Sequence, residues 1–474
     1  MKRFWLPLGL FAMVVIGSYD MLRGAAAPLM QADWRLGYEQ LGSVFSLGSL
    51  GYLAGTLISG YAVQRLGVRG LVVLGAVVVI IGTGAIALAH GFWAAAAGFA
   101  IVGLGTGGLE IGTNAVIPAI TPSAAGQSRY FNWLHGFYGI GACGLPLAAG
   151  WVLQTTHAWR AVYGVLGCAV LAILALAVAR GRTGAESADV RMPDREKVTD
   201  TGRRPVTEAV RAAEPVPGRD PGTGREPGTG RDPGLGRQPR SGHGPGPGYH
   251  PAARTPWRDS VLWGLMLAIG VYVMAEVGLG TWLTTYLVEA RGISLSLASL
   301  CLSGFFFTFT AGRLGAPLWL HRVAPRRALL GALGVSLLAL GMAWLPGTGT
   351  MAGVVLCGVI LAGFGFSILF PTLTALASHT FSVQAGRVIG LMFTAGAIGS
   401  MLTNAVIGAL ASRWGIQAGF SLIWGFLLAV LVMVWWMPDG HGQKAERDGE
   451  IISGYPVGGS AESRRDACED VARL

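Results

Sequence analysis

Gly103-Leu-Gly-Thr-Gly-Gly-Leu-Glu110-Ile-Gly-Thr-Asn114-Ala115 and Gly363-Phe-Gly-Phe-Ser-Ile-Leu-Phe370-Pro-Thr-Leu-Thr374-Ala375 are counterparts, 260 residues apart. Each sits inside a long apolar run. Two further features recur at a similar distance. Arg65 and Arg69 are matched by Arg322 and Arg326, 257 residues later, and Gly141-Ala-Cys-Gly144 is matched by Gly396-Ala-Ile-Gly399. Three similar offsets make the chain two related halves.

Working outward, the apolar runs around these stretches are each about 20 residues long or more, which is what a helix rising ~1.5 Å per residue needs to cross ~30 Å of hydrocarbon. Of the 474 residues 52% are hydrophobic and only 13% charged, and most of the charge is confined to one central stretch and the C-terminal tail. Lipid offers the backbone no hydrogen bonds, so each run must be helical. Six spans precede the central stretch, at 5–30, 39–63, 69–89, 92–118, 129–154 and 159–180. Six follow it, at 259–288, 295–318, 327–345, 350–378, 385–411 and 416–437. The expected fold is an all-α membrane protein with twelve transmembrane helices in two pseudo-symmetric six-helix bundles. Its parts are an N-terminal bundle at 1–180, a linker at 181–257, a C-terminal bundle at 258–438 and a tail at 439–474. The apolar stretch behind Met1-Lys2-Arg3 is too long for a signal peptide and reads as the first span.

The net charge of +10 would suit nucleic acid, but extra Lys and Arg on cytoplasmic loops explain it better. With the N-terminus inside, the cytoplasmic segments hold Lys2, Arg3, Arg65, Arg69, Arg129, Arg322, Arg326, Arg327 and Arg387. The other side holds Arg35, Arg160, Arg291 and Arg413. Nine against four places both termini in the cytoplasm of a cell with the protein in its inner membrane. The linker carries a six-residue unit, Gly218-Arg-Asp-Pro-Gly-Thr223, repeated from Gly224 and Gly230 and degraded from Gly236. The unit has no apolar position to stack inside a β-helix. Pro and Gly dominate it, so a disordered tether is expected, with binding of anionic lipid or a partner as the alternative. The five cysteines share no metal-binding spacing, and free thiols are expected.

Gly60-Tyr-Ala-Val-Gln64-Arg65-Leu-Gly67-Val-Arg69 resembles the signature loop between the second and third helices of the major facilitator superfamily, which reads Gly-x-x-x-Asp-Arg-x-Gly-x-Arg. Gly60, Arg65, Gly67 and Arg69 match its gating pattern, while Gln64 stands where the family's acid would join a cytoplasmic charge network. Three more stretches resemble the fucose:proton symporter branch and its sugar-transporter relatives: Glu110 with Asn114, Asn132-Trp-Leu-His135 through Pro146, and Tyr272-Val-Met-Ala-Glu276 through Trp282 to Tyr286. The resemblance implies that acids of the first and fourth helices, here Asp20 and Glu110, serve proton coupling and substrate binding.

An ionisable residue at the centre of a membrane helix costs ~3 kcal/mol on insertion scales, so it persists where it faces a cavity or a partner. Asp20 and Arg23 share a face of the first span and read either as a structural pair or as a working carboxylate tuned by its neighbour. Glu110 has no basic neighbour in its own span and is the best proton site, with Asn114 one turn away to bond it or a solute hydroxyl. A neutral helix–helix hydrogen bond is the plainer reading of Glu110. Glu276 follows Tyr272 by one turn and precedes Trp282 and Tyr286, whose rings suit sugar stacking or an interfacial aromatic belt. In the fifth span Asn132, His135 and Tyr138 share a face, and His135 is either a proton relay or a structural donor.

No Gly-Lys-Ser/Thr phosphate loop, metal-ligand spacing or nucleophile elbow occurs, so ATP-driven transport, a cofactor and an enzymatic role have no support. The expected function is proton-coupled symport of a small polar solute, such as a sugar, by a monomer whose other partners are membrane lipids. Substrate contacts are assigned to Asp20, Asn114, Asn132, Glu276, Trp282 and Tyr286, and coupling to Glu110, Asp20 and His135. The alternatives are a proton-coupled exporter of drugs or metabolites and a transporter-like sensor.

Overall fold

A computed structural model describes residues 2–120, 124–182, 259–342, 350–381 and 385–437. The linker repeats and the tail lie outside the described residues. Among the described residues every regular element is a helix. Nine helical stretches are long and apolar enough to cross a membrane, and two of them, Tyr38–Ala87 and Val388–Trp435, are about twice the length one crossing needs. Both are broken by a glycine of positive φ, Gly67 at 64° and Gly415 at 82°. Only glycine adopts this conformation without a steric penalty, so one residue reverses the chain between spans. Divided there, and with the 17-residue helix Pro325–Gly341 counted, the described residues hold the twelve expected spans. The chain is a multi-pass membrane protein.

Three spans depart from a single unbroken α-helix. The fourth span breaks at Ala115, between Phe92–Asn114 and Val116–Ile120, and the tenth breaks at Ile368, between Thr350–Ser367 and Leu369–Thr380. Pro118 and Pro371, each three residues past a break, have no amide proton to continue the helix behind them. The seventh span, Ser260–Thr285, runs on into a π-helical turn, Tyr286–Ala290.

The internal repeat shows itself in packing. Gly103 faces the backbone of Gly48 and Tyr52 in the second span, and Gly363 faces that of Phe305 and Phe309 in the eighth. Gly105 faces Gly75 and Val79 of the third span, and Gly365 faces Ala332 and Ser336 of the ninth. The partner residues are separated by the same 257 positions that separate the arginine pairs. Arg69 donates from Nε to the carbonyl of Ala177 at 3.2 Å and from Nη2 to that of Val178 at 3.4 Å. Arg326 donates in the same way to Val434, at 3.3 Å, and to Trp435. Each arginine thus serves carbonyls near the end of the last helix of its own bundle, where intrahelical donors run out. One register shifts. Gly141 faces Val14 and Gly399 faces Gly270, so Gly399 and not Gly396 is the counterpart of Gly141. The same shift sets Glu276 opposite Asp20 in the repeat.

The bundles meet along a seam at the end bearing Trp34, Gly37 and Glu289. There a Cβ on Gly24 would strike the Gly280 carbonyl, and one on Gly42 would strike that of Asn404. Thr284 donates to the Gly24 carbonyl, and Tyr38 donates to Glu289. Ser400 and Ser49 bond at 3.1 Å, and the amide of Ser296 donates to Gln154 at 2.8 Å. This end is closed. The acids of the first and fourth spans lie beyond it.

Candidate functional site

Packing of small residues sets the acids. Gly107 rests on the backbone of Tyr52 and Thr56, which brings the Tyr52 ring to the fourth span. Its hydroxyl donates to Glu110 Oε2 at 2.8 Å. Gly17 rests on the Tyr138 carbonyl, which brings the fifth span against the first. The Tyr138 hydroxyl donates to Asp20 Oδ2 at 2.8 Å, nearer than Arg23, whose Nη2 is 3.9 Å from Asp20 Oδ1. Asp20 lies within electrostatic reach of Glu110 and of both tyrosines. Two carboxylates, each held by one phenol, therefore form a single cluster drawn from four spans. Asp20, Tyr52, Glu110 and Tyr138 are all half-buried.

The C-terminal bundle presents a second cluster. Tyr272 is fully buried and donates to the Phe366 carbonyl at 2.8 Å. Glu276, one turn on, and Arg313 of the eighth span flank its hydroxyl. Arg313 Nε donates to the Ser367 carbonyl at 3.2 Å, beside the break in the tenth span, and its guanidinium lies 4.3 Å over the Phe309 ring. His135, from the N-terminal bundle, is within electrostatic reach of Arg313. Gly139 and Gly136 bring its helix against Thr310 and Leu314. His135, Glu276 and Arg313 are half-buried too, and the nearness of His135 to Arg313 brings polar groups of the two bundles together.

Four of the residues expected from sequence thus fall in these clusters: Asp20, Glu110, Glu276 and His135. Others sit elsewhere. Asn114 makes no hydrogen bond to Glu110 among the described residues, whereas Tyr52 does, and the buried Oδ1 of Asn114 has no partner among them. Tyr286 lies in neither a cavity nor an interfacial belt. Its ring is fully buried and stacks on Phe420 with centroids 4.3 Å apart and planes 1° from parallel. Trp282 is also fully buried, edge-on to Tyr38 in the closed seam, and its Nε1 meets no acceptor among the described residues. The side chain of Asn132 lies outside the described residues. In the signature stretch Gly67 makes the turn, Arg69 serves the sixth helix, and Gly60 and Arg65 are exposed.

Two residues of the clusters escape sequence reasoning. Tyr52 is one aromatic among many in an apolar span, and only the glycine packing reveals its partner. Arg313 carries a readable signal, an arginine inside the eighth apolar run, but its nearness to the basic loop at 322–327 hides it among topology charges.

Comparison with known proteins agrees with this architecture. The family model described as Major Facilitator Superfamily matches residues 8–403. A protein TsgA homolog from Edwardsiella ictaluri (strain 93-146) is 20% identical over 90% of this chain and 93% of its own length. The protein TsgA of Escherichia coli O157:H7 (strain EC4115 / EHEC) is 27% identical, but over only 39% of this chain and 45% of that protein. Among solved structures, a D-xylose-proton symporter superposes with a TM-score of 0.66 at 14% identity, covering 91% of this chain and 97% of its own. The nucleoside transporter NupG gives 0.62 at 10% identity over 92% of this chain and 99% of its own. Identities this low show a shared fold and nothing finer.

Proposed function

Because this chain belongs to the Major Facilitator Superfamily, we propose that it carries a small polar solute across the cytoplasmic membrane together with protons, by rocking its two bundles about the clusters at their interface. The single observation that carries this reading is the joined pair of half-buried carboxylates, Glu110 under Tyr52 and Asp20 under Tyr138. Two carboxylates that share one site with two phenols can take up a proton between them. A proton taken up by one is held until the surroundings change, which is what alternating access supplies. Glu110 has no cation in contact among the described residues and is the proton carrier. Asp20, with Arg23 beside it, orients the solute or relays the proton.

The excess of basic residues on the loops of one side puts both termini in the cytoplasm. The closed seam then faces outward, and this is the inward-facing state. The fold shared with the D-xylose-proton symporter is compatible with a hydroxyl-bearing solute.

The test is Glu110→Gln in proteoliposomes. It should abolish accumulation driven by a pH gradient while leaving counterflow exchange. Accumulation at the wild-type level in this variant would sink the assignment.

A further inference from the structure

Arg313 differs from Arg23, Arg69, Arg160 and Arg326, which also sit on membrane helices. Arg160 is paired with Asp33 and donates to the carbonyls of Ala87 and Ala89. Arg69 and Arg326 each use both Nε and Nη2 on helix-end carbonyls, whereas Arg313 uses Nε alone on one. Arg23 has Asp20 at 3.9 Å. Arg313 lies in the last turn of the eighth helix, Leu295–Gly315, and among the described residues no carboxylate oxygen comes within 4.0 Å of it. Its Nε is taken by the Ser367 carbonyl and one face by Phe309. Glu276 flanks the same Tyr272 hydroxyl but does not reach the guanidinium. The fork is left without a counter-charge in contact, on a side chain only half-buried.

A guanidinium in a membrane span without a counter-charge in contact is costly, and such residues mark substrate pathways. The planar fork matches a carboxylate bidentately, which an ammonium or a neutral donor cannot do. Tyr272 and His135 flank the same place from the two bundles. We infer that the solute carries an anionic group, a carboxylate, which docks on the Nη edge of Arg313 and supplies the counter-charge that the protein withholds. The two carboxylates across the interface then take the solute's hydroxyl or amine end. This deepens, and rests on, the reading of the chain as a carrier of a small polar solute. It replaces a neutral sugar with an acidic one or with another small organic acid. Arg313 is thus assigned as the specificity-determining residue of the C-terminal bundle.

The experiment measures binding to the purified full chain in detergent by thermal shift and tryptophan fluorescence. It uses matched pairs of probes: gluconate with glucose, galacturonate with galactose, and lactate with propane-1,2-diol. At least one carboxylate should raise the melting temperature while its neutral partner does not. Arg313→Gln should weaken that carboxylate at least tenfold. Arg313→Lys keeps the charge but not the fork, so it should weaken binding less, and it guards against a glutamine variant that fails to fold. Binding of neutral members alone, an undiminished carboxylate affinity in Arg313→Gln, or no carboxylate response in any pair overturns the inference. Failure of proton coupling would look different. A carboxylate bound through Arg313 but carried without protons would remove the role of Glu110 and leave that of Arg313 intact.

Discussion

Glu110 accepts its hydrogen bond from a single side chain among the described residues, the hydroxyl of Tyr52. A hydrogen bond to a charged group contributes ~1.5–3 kcal/mol, so Tyr52→Phe should lower proton-driven accumulation about tenfold or more without unfolding the chain. Uptake by proteoliposomes of the phenylalanine variant, beside its thermal midpoint, checks both halves of that statement. Tyr286 is the contrasting case. Its stacked ring is part of the core, so Tyr286→Ala should cost ~3–5 kcal/mol of stability, read as a lower melting temperature, and Tyr286→Phe, which keeps the ring, should cost less. At this scale the acids were legible because so few ionisable residues interrupt the apolar runs, and each is expensive enough there to need a reason. Their partners were not. A tyrosine in a span costs little, and a helical sequence does not say which neighbouring helix it will touch. Trp282 and Tyr286 misled because an aromatic ring near a span's end has the same appearance whether it meets solute, headgroup or core.

At the scale of the helix, the arginines at 69 and 326 do the same work in both bundles. Replacing either with alanine leaves two carbonyls of the sixth or the twelfth helix without their donor, at a cost of ~1–3 kcal/mol. Similar losses of melting temperature for Arg69→Ala and Arg326→Ala are expected, and a loss in only one would break the equivalence. The close approach of the first and seventh spans gives a conformational counterpart. Gly24→Leu cannot be accommodated against the Gly280 carbonyl, so the seam should stay apart. Cysteines at Gln40 and Arg413, both exposed at that end, should report it as a longer distance by spin labelling. The signature stretch at 60–69 announced a turn, and Gly67 makes it. The breaks at Ala115 and Ile368 were less visible, because a proline three residues beyond a break reads equally well as a kink within an unbroken helix.

For the molecule as a whole, the two halves were legible from three offsets, and the packing of Gly103 and Gly363 repeats them. The closed seam was not legible. Which end of a pseudo-symmetric pair of bundles is shut depends on small differences in contact between two states, and the sequence must encode both. The Tyr38–Glu289 and Thr284–Gly24 contacts belong to the closed state at this end, and they must part in the other.

The bundles rock about the interface clusters, and paired distances test this motion without knowledge of the solute. Spin labels at Gln40 and Arg413 follow the closed end, and labels at Gln64 and Arg327, exposed at the far end, follow the other. In liposomes held at about pH 5 and about pH 8, double electron–electron resonance should show two populations for each pair. As one pair lengthens the other should shorten, and Glu110→Gln should suppress the response to pH. Distances that do not change, or that lengthen and shorten together at both ends, would rule out this rocking motion.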